Sequence, residues 1–188
     1  MEADWAAEVG AGLPGIEADW GGFVDLRLSP ERVGEIAEAV AEPVLREALL
    51  MLNGAGSGVF TVKCDVWELE REEIDPLEFD CAAECGAGWA SWVDVVARSS
   101  EMFGSFDAHE GWVRRATDRL RVVGGLGCGR VDLVIRGARV RDGEGFGVTV
   151  YAAGCGVDTQ AARGAWEGIL RAGLLATMET VRASSSIG

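Results

Sequence analysis

Hydrophobic and polar positions along the chain alternate between two periods, and the switches mark the elements. Residues 23–28, Phe-Val-Asp-Leu-Arg-Leu, follow a period of two, which predicts a strand with Val24, Leu26 and Leu28 on one face. Ser29 and Pro30 then read as the N-cap and first residue of a helix. Val33, Ile36, Ala37, Val40, Val44, Ala48 and Leu52 continue it as one apolar stripe, with Pro43 predicting a break and Asn53-Gly54 a stop. Residues 58–69 give the clearest strand: Phe60, Val62, Cys64 and Val66 fall on one face, and Thr61, Lys63, Asp65 and Trp67 on the other.

An acidic connection over 70–80, with Pro76, leads to an expected helix over about 81–98 that turns Cys85, Trp89, Trp92, Val93 and Val96 inward. Gly86 and Gly88 weaken its start. Asp107 and Glu110 have the spacing of a capping box, which starts a further helix with Trp112, Ala116, Leu120 and Val123 facing in. Residues 130–153 read as a hairpin turning at Asp142-Gly143-Glu144-Gly145. A last helix over 159–182 has Trp166, Ile169, Leu170, Gly173, Leu174, Thr177 and Val181 on its inner side.

This order predicts an α+β fold, a two-layer sandwich in which a four-stranded mixed sheet carries helices mainly on one face. Residues 1–22 are glycine-rich and contain Glu-Ala-Asp-Trp twice; they read as a flexible arm that its two Trp residues staple to the core. Residues 23–183 form the single domain, and 184–188 a frayed tail.

Composition changes the picture in two ways. Seven Trp and six Phe among 188 residues supply a large apolar core. The formal net charge of −14 argues against nucleic acid and anionic membranes as partners, because both demand cations. The acidic opening Met1-Glu2-Ala3-Asp4-Trp5 is unlike a signal peptide, and five scattered cysteines do not make a disulfide framework, so the expectation is a cytoplasmic chain with free thiols. The charge is also uneven. Residues 1–84 carry 20 acidic and five basic side chains, whereas 114–141 carry eight Arg against Asp118 and Asp132.

Candidate chemistry is sparse. Cys81, Cys85, Cys128, Cys155 and His109 are possible zinc ligands, but structural zinc favours two tight pairs. Only Cys81-x3-Cys85 is close in sequence, so the cysteines read as core residues, His109 as an exposed helix start, and no metal or cofactor is assigned. Gly124–Gly129 precedes a strand, the wrong context for a phosphate loop. Two groups remain as ligand-binding candidates: Lys63, Asp65 and Trp67 on one strand face, and Arg139 and Arg141, whose guanidiniums suit anions or an acidic surface. With no catalytic set in view, the first reading is a non-enzymatic interaction module for a basic protein partner. The alternatives are an anionic-ligand binder or small enzyme, and a homo-oligomeric subunit such as a homodimer.

Overall fold

The computed structural model describes every residue except 11, 13, 76, 82–84 and 186–188, with side chains up to residue 181. Six strands form one open mixed sheet: β1 (Glu2–Glu8), β2 (Ile16–Glu17), β3 (Val59–Leu69), β4 (Ala87–Ala97), β5 (Cys128–Val140) and β6 (Gly143–Gly156). The order across it is β1-β5-β6-β4-β3, with β2 also on β5. β1 and β2 run parallel to β5, and all other pairs are antiparallel. The helices are α1 (Ala37–Ala41), α2 (Pro43–Asn53), α3 (Ser100–Phe103), α4 (Phe106–Arg121) and α5 (Thr159–Ser185). No described helix is long and apolar enough to cross a membrane.

Several expectations change. The sheet has six strands, not four. Residues 23–28 form no strand, because Asp25 folds the chain onto itself: its carboxylate accepts from Arg27 N, and its carbonyl accepts from Leu28 N and Ser29 N. The segment read as a flexible arm supplies two strands instead. Glu2–Glu8 pairs residue for residue with Arg130–Arg136. Trp5 packs against the core beneath Arg114, and Trp20 lies against Phe23 and Lys63, so both copies of the repeat do fasten the segment down.

The expected helix over 81–98 is the central strand β4. It is covered on both faces, so apolar residues occupy both parities, and spacings such as Trp89/Trp92 and Val93/Val96 imitate a helical stripe. Pro30–Glu35 is a 3₁₀ turn, and Pro43 separates α1 from α2 as its chemistry requires. α4 begins at Phe106 and is capped by Ser105 rather than Asp107, with Ser105 Oγ accepting from Ala108 N. The hairpin turns at Arg141-Asp142, with Arg141 at φ 53°. The expected tail lies mostly outside the described residues; α5 continues to Ser185.

The core forms where helices meet one face of the sheet. Val93, Val95, Leu133, Ile135, Val148 and Val150 project from β4, β5 and β6 against Leu49 of α2, Trp112 of α4 and Trp166 and Leu170 of α5. Trp112 Nε1 donates to Thr177 O at 2.7 Å, so this large buried indole leaves no orphan donor. At the edge of this layer Glu42 is buried and paired to Arg163, whose guanidinium also sits 4.9 Å from the Trp89 ring. Arg163→Ala is expected to destabilise the fold by about 2 kcal/mol, because it leaves a buried carboxylate without its partner. Urea unfolding measures the loss, and Arg163→Lys should recover part of it.

Candidate functional site

The other face of the sheet carries the polar and aromatic residues. Register places them in rows that cross four strands. One row runs Asp65, Trp92, Tyr151, Asp132; the next runs Trp67, Ala90, Ala153, Arg130; the third ends in Cys155 and Cys128. Alternation along each strand puts these rows on one face. Above the first row, Asp94 is buried beside Thr149, whose hydroxyl donates to Asp94 Oδ1 at 2.6 Å. Burial pushes the Asp94 carboxyl up to about 6, against the opposing pull of Thr149, Arg136 and Lys63.

Lys63, Asp65 and Trp67 therefore do share a face, but their surroundings differ. A register shift between Thr61 and Cys64 brings Lys63 under the segment that follows β2, with Nζ 4.6 Å from the Trp20 ring centroid. Asp65 is exposed at the sheet edge. Trp67 forms the wall of a groove of about 280 Å³, with Tyr151, Leu69 and Phe79 as its other apolar walls and Glu73 and Glu78 at its rim. On its floor Arg130 makes a two-point pair with Asp132 at 2.7 and 2.8 Å and reaches Glu78 at 3.0 Å. This pairing raises the Arg130 guanidinium above its ordinary range.

The groove lies under the connection from β3 to β4, and that connection is acidic. From Asp65 to Asp80, eight carboxylates are exposed: Asp65, Glu68, Glu70, Glu72, Glu73, Asp75, Glu78 and Asp80. Arg71 is the one base among them. The connection is held down by buried Phe79, by Gly129 N donating to Phe79 O at 2.8 Å, and by the Met1 ammonium on Asp80 at 2.9 Å.

Arg139 and Arg141 do not join this groove. Arg139 pairs with Glu17 at 3.3 Å and Glu144 at 3.6 Å, nine residues along β5 from Arg130. Arg141 lies at the hairpin turn beside a separate hollow of about 390 Å³, shared with Arg27, Arg98 and Asp25. The wider Arg cluster answers the acidic first half within the chain. Arg121 pairs with Asp4, Arg130 with Glu78, Arg136 with Glu8, and outside that cluster Arg171 pairs with Glu47.

The cysteines are not scattered in space. Cys128 and Cys155 are direct partners across the β5–β6 ladder, and Cys81 and Cys85 descend onto them from the β3–β4 connection. Cys81 and Cys128 sit at disulfide distance with Cα atoms 5.1 Å apart, as do Cys85 and Cys155 with Cα atoms 5.8 Å apart. The sulfurs of Cys81 and Cys85 are 3.4 Å apart. Cys64 is separate, and burial pushes its thiol up to about 12, which makes it inert at neutral pH. His109 is not an exposed helix start but a fully buried residue that packs on Trp112 and Phe146. Phe146 lies at the far end of β6 from Cys155, so His109 does not join the sulfurs. Its Nδ1 donates to Ser105 O at 2.9 Å, and burial lowers its pKa.

The chain matches no known protein family, no curated protein and no solved structure. Its chemistry is therefore read from its own geometry. Sequence reasoning missed Trp92, Asp94 and Tyr151, because the helical reading of 81–98 concealed the face they share. No alternation of apolar and polar residues announced that face, because β4 is buried on both sides.

Proposed function

We propose that this chain is a non-enzymatic interaction module that docks a basic segment of a partner protein on the groove beneath the β3–β4 connection. The observation that carries the reading is an aromatic wall, Trp67 and Tyr151, directly under an acidic rim, Glu73 and Glu78. Such a groove suits an Arg or Lys side chain. Its alkyl stem lies along the aromatic wall, and its head meets the carboxylates. Arg121, Arg136 and Arg139 are held in pairs elsewhere, and Arg130, which reaches Glu78, is shared with Asp132, so the rim keeps a surplus of negative charge. The neighbouring carboxylates raise the encounter rate with a cationic partner.

The test is titration of the chain with an Arg-rich peptide, followed by calorimetry at low salt and at about 0.5 M salt, where screening shortens to a few ångströms. Affinity should fall steeply with salt. Trp67→Ala should weaken it by about tenfold, the loss typical of an aromatic anchor. Glu73→Lys with Glu78→Lys should abolish it, whereas the same charge change at Glu31 and Glu101 should cost far less. Equal losses from the two double reversals would reduce the interaction to net charge and overturn the groove as its site.

The hollow at Arg27, Arg98 and Arg141 favours a second reading, an anionic small-molecule site, since three guanidiniums face one carboxylate there. Arg27 is already held by Asp25 at 2.6 Å, and Arg98 donates to the carbonyls of Val59 and Asn53, which leaves Arg141 as the group to mutate. A thermal-shift screen with anionic metabolites on the wild type and Arg141→Ala separates this reading from the first.

A further inference from the structure

We infer that Cys81, Cys85, Cys128 and Cys155 form a zinc site of four thiolates that clamps the β3–β4 connection onto the ends of β5 and β6. The ladder that sets Cys128 beside Cys155 and the short Cys81-x3-Cys85 segment bring the two pairs together. Three sulfurs, those of Cys81, Cys128 and Cys155, all lie within 4.8 Å of one another, and the fourth, of Cys85, adjoins them 3.4 Å from Cys81 and at bonding distance from Cys155. Zinc binds thiolates at about 2.3 Å in a tetrahedron, which sets its sulfurs about 3.8 Å apart. Sulfurs gathered to this extent need only small side-chain rotations to surround one ion.

The architecture fits a closed structural site. One ligand pair comes from a short segment, Cys81-x3-Cys85, within the spacing usual for such pairs. The second pair is supplied by a ladder, Cys128 opposite Cys155, a rigid arrangement that fixes half of the tetrahedron before the metal arrives. The sulfurs are shielded rather than displayed, with Cys155 3% exposed and the others half-buried. A domain with this much aromatic core has little need of disulfides for stability. It does need something to fix an acidic connection whose carboxylates repel one another, and four metal–sulfur bonds at its root tie it down covalently. Binding displaces four thiol protons to solvent and leaves a zinc–tetrathiolate of net charge −2; no oxidant takes part. In a reducing compartment the thiolates stay available to the metal.

The site stands apart from the partner-binding reading, and its test uses no partner. The full chain is purified under reducing conditions with neither chelator nor added metal and weighed by native mass spectrometry. One zinc per chain is expected, with all five cysteines alkylating once the protein is denatured in chelator. A metal-free chain in which only Cys64 alkylates shows two disulfides and overturns the proposal. So does a metal-free chain with five reactive thiols, or one that carries iron and inorganic sulfide. Cys64→Ser should keep its zinc, and Cys128→Ser should lose it. A second measurement, independent of whether Cys128→Ser folds, uses the wild type: Co²⁺ added to the reduced, stripped chain should produce the intense visible absorption of a tetrahedral thiolate site at one equivalent. No such band at one equivalent would overturn the assignment.

Discussion

Trp166→Ala is expected to lower the unfolding free energy by about 3–5 kcal/mol, the range for deleting a fully buried aromatic side chain. Trp166 is completely buried at the centre of the α5–sheet contact. Its indole packs against Trp89 with ring centroids 6.4 Å apart, and its Nε1 donates to Ser91 Oγ at 2.8 Å. Truncation therefore opens a cavity and strips the hydroxyl of a buried serine of this bond, two costs that add. The surroundings cannot collapse to fill the space. α5 already lies so close to β6 that a Cβ at Gly154 would meet the backbone of Trp166. Urea unfolding should show a lower midpoint with an unchanged slope, and Trp166→Phe should recover more than half of the loss. A loss below about 1 kcal/mol would mean that the α5–sheet contact is not the main source of stability.

Asp94→Asn is expected to stabilise the fold by up to about 3 kcal/mol at neutral pH, the equivalent of a shift of about two pH units. The sign follows from the direction of the shift. Burial raises the Asp94 carboxyl from 3.8 to about 6 in the folded chain. The folded state therefore binds this proton before the unfolded state does, and stability falls as pH rises from about 4 through about 6. Above that window the fold carries the cost of a buried carboxylate. Asparagine removes the charge and still offers an oxygen to the Thr149 hydroxyl, which lies 2.6 Å from Asp94 Oδ1. The loss of attraction to Arg136 and Lys63 offsets part of the gain. Unfolding free energies of both proteins from about pH 4 to about pH 8 should diverge as pH rises and coincide at the acid end. Parallel curves would place Asp94 in a better-solvated setting than its burial indicates.

The two sheet faces explain what could be read in the sequence and what could not. Lys63, Asp65 and Trp67 were legible as one face because alternation within a strand needs only that strand. Which of them would border a groove was not legible, since Tyr151, Arg130 and Phe79 come from three other segments. Lys63 in particular looks like a pocket base in the sequence, yet Trp20 occupies its face. The Arg cluster likewise showed its sign but not its partners, which lie far away in sequence: Glu8 for Arg136 and, 122 residues away, Glu17 for Arg139. The groove's acidic rim was legible as composition, and its aromatic wall only in part.

The sequence by itself determined the elements whose signal is local: strand 59–69, the existence of the β5–β6 hairpin, the long last helix, the break at Pro43 and the acidity of the first half. Periodicity, proline chemistry and charge act within a few residues, so no tertiary knowledge is needed to read them. Tertiary structure alone decided that Glu2–Glu8 becomes an edge strand on β5, for its Glu, Ala and Asp residues have little intrinsic strand preference and gain order from the ladder they join. It decided that 87–97 is a strand, because burial on both faces removes the alternation that would have announced one. It also decided that Cys128 and Cys155 are a pair. Their 27-residue separation hides them in the sequence, whereas antiparallel register sets them side by side and brings Cys81 and Cys85 to meet them.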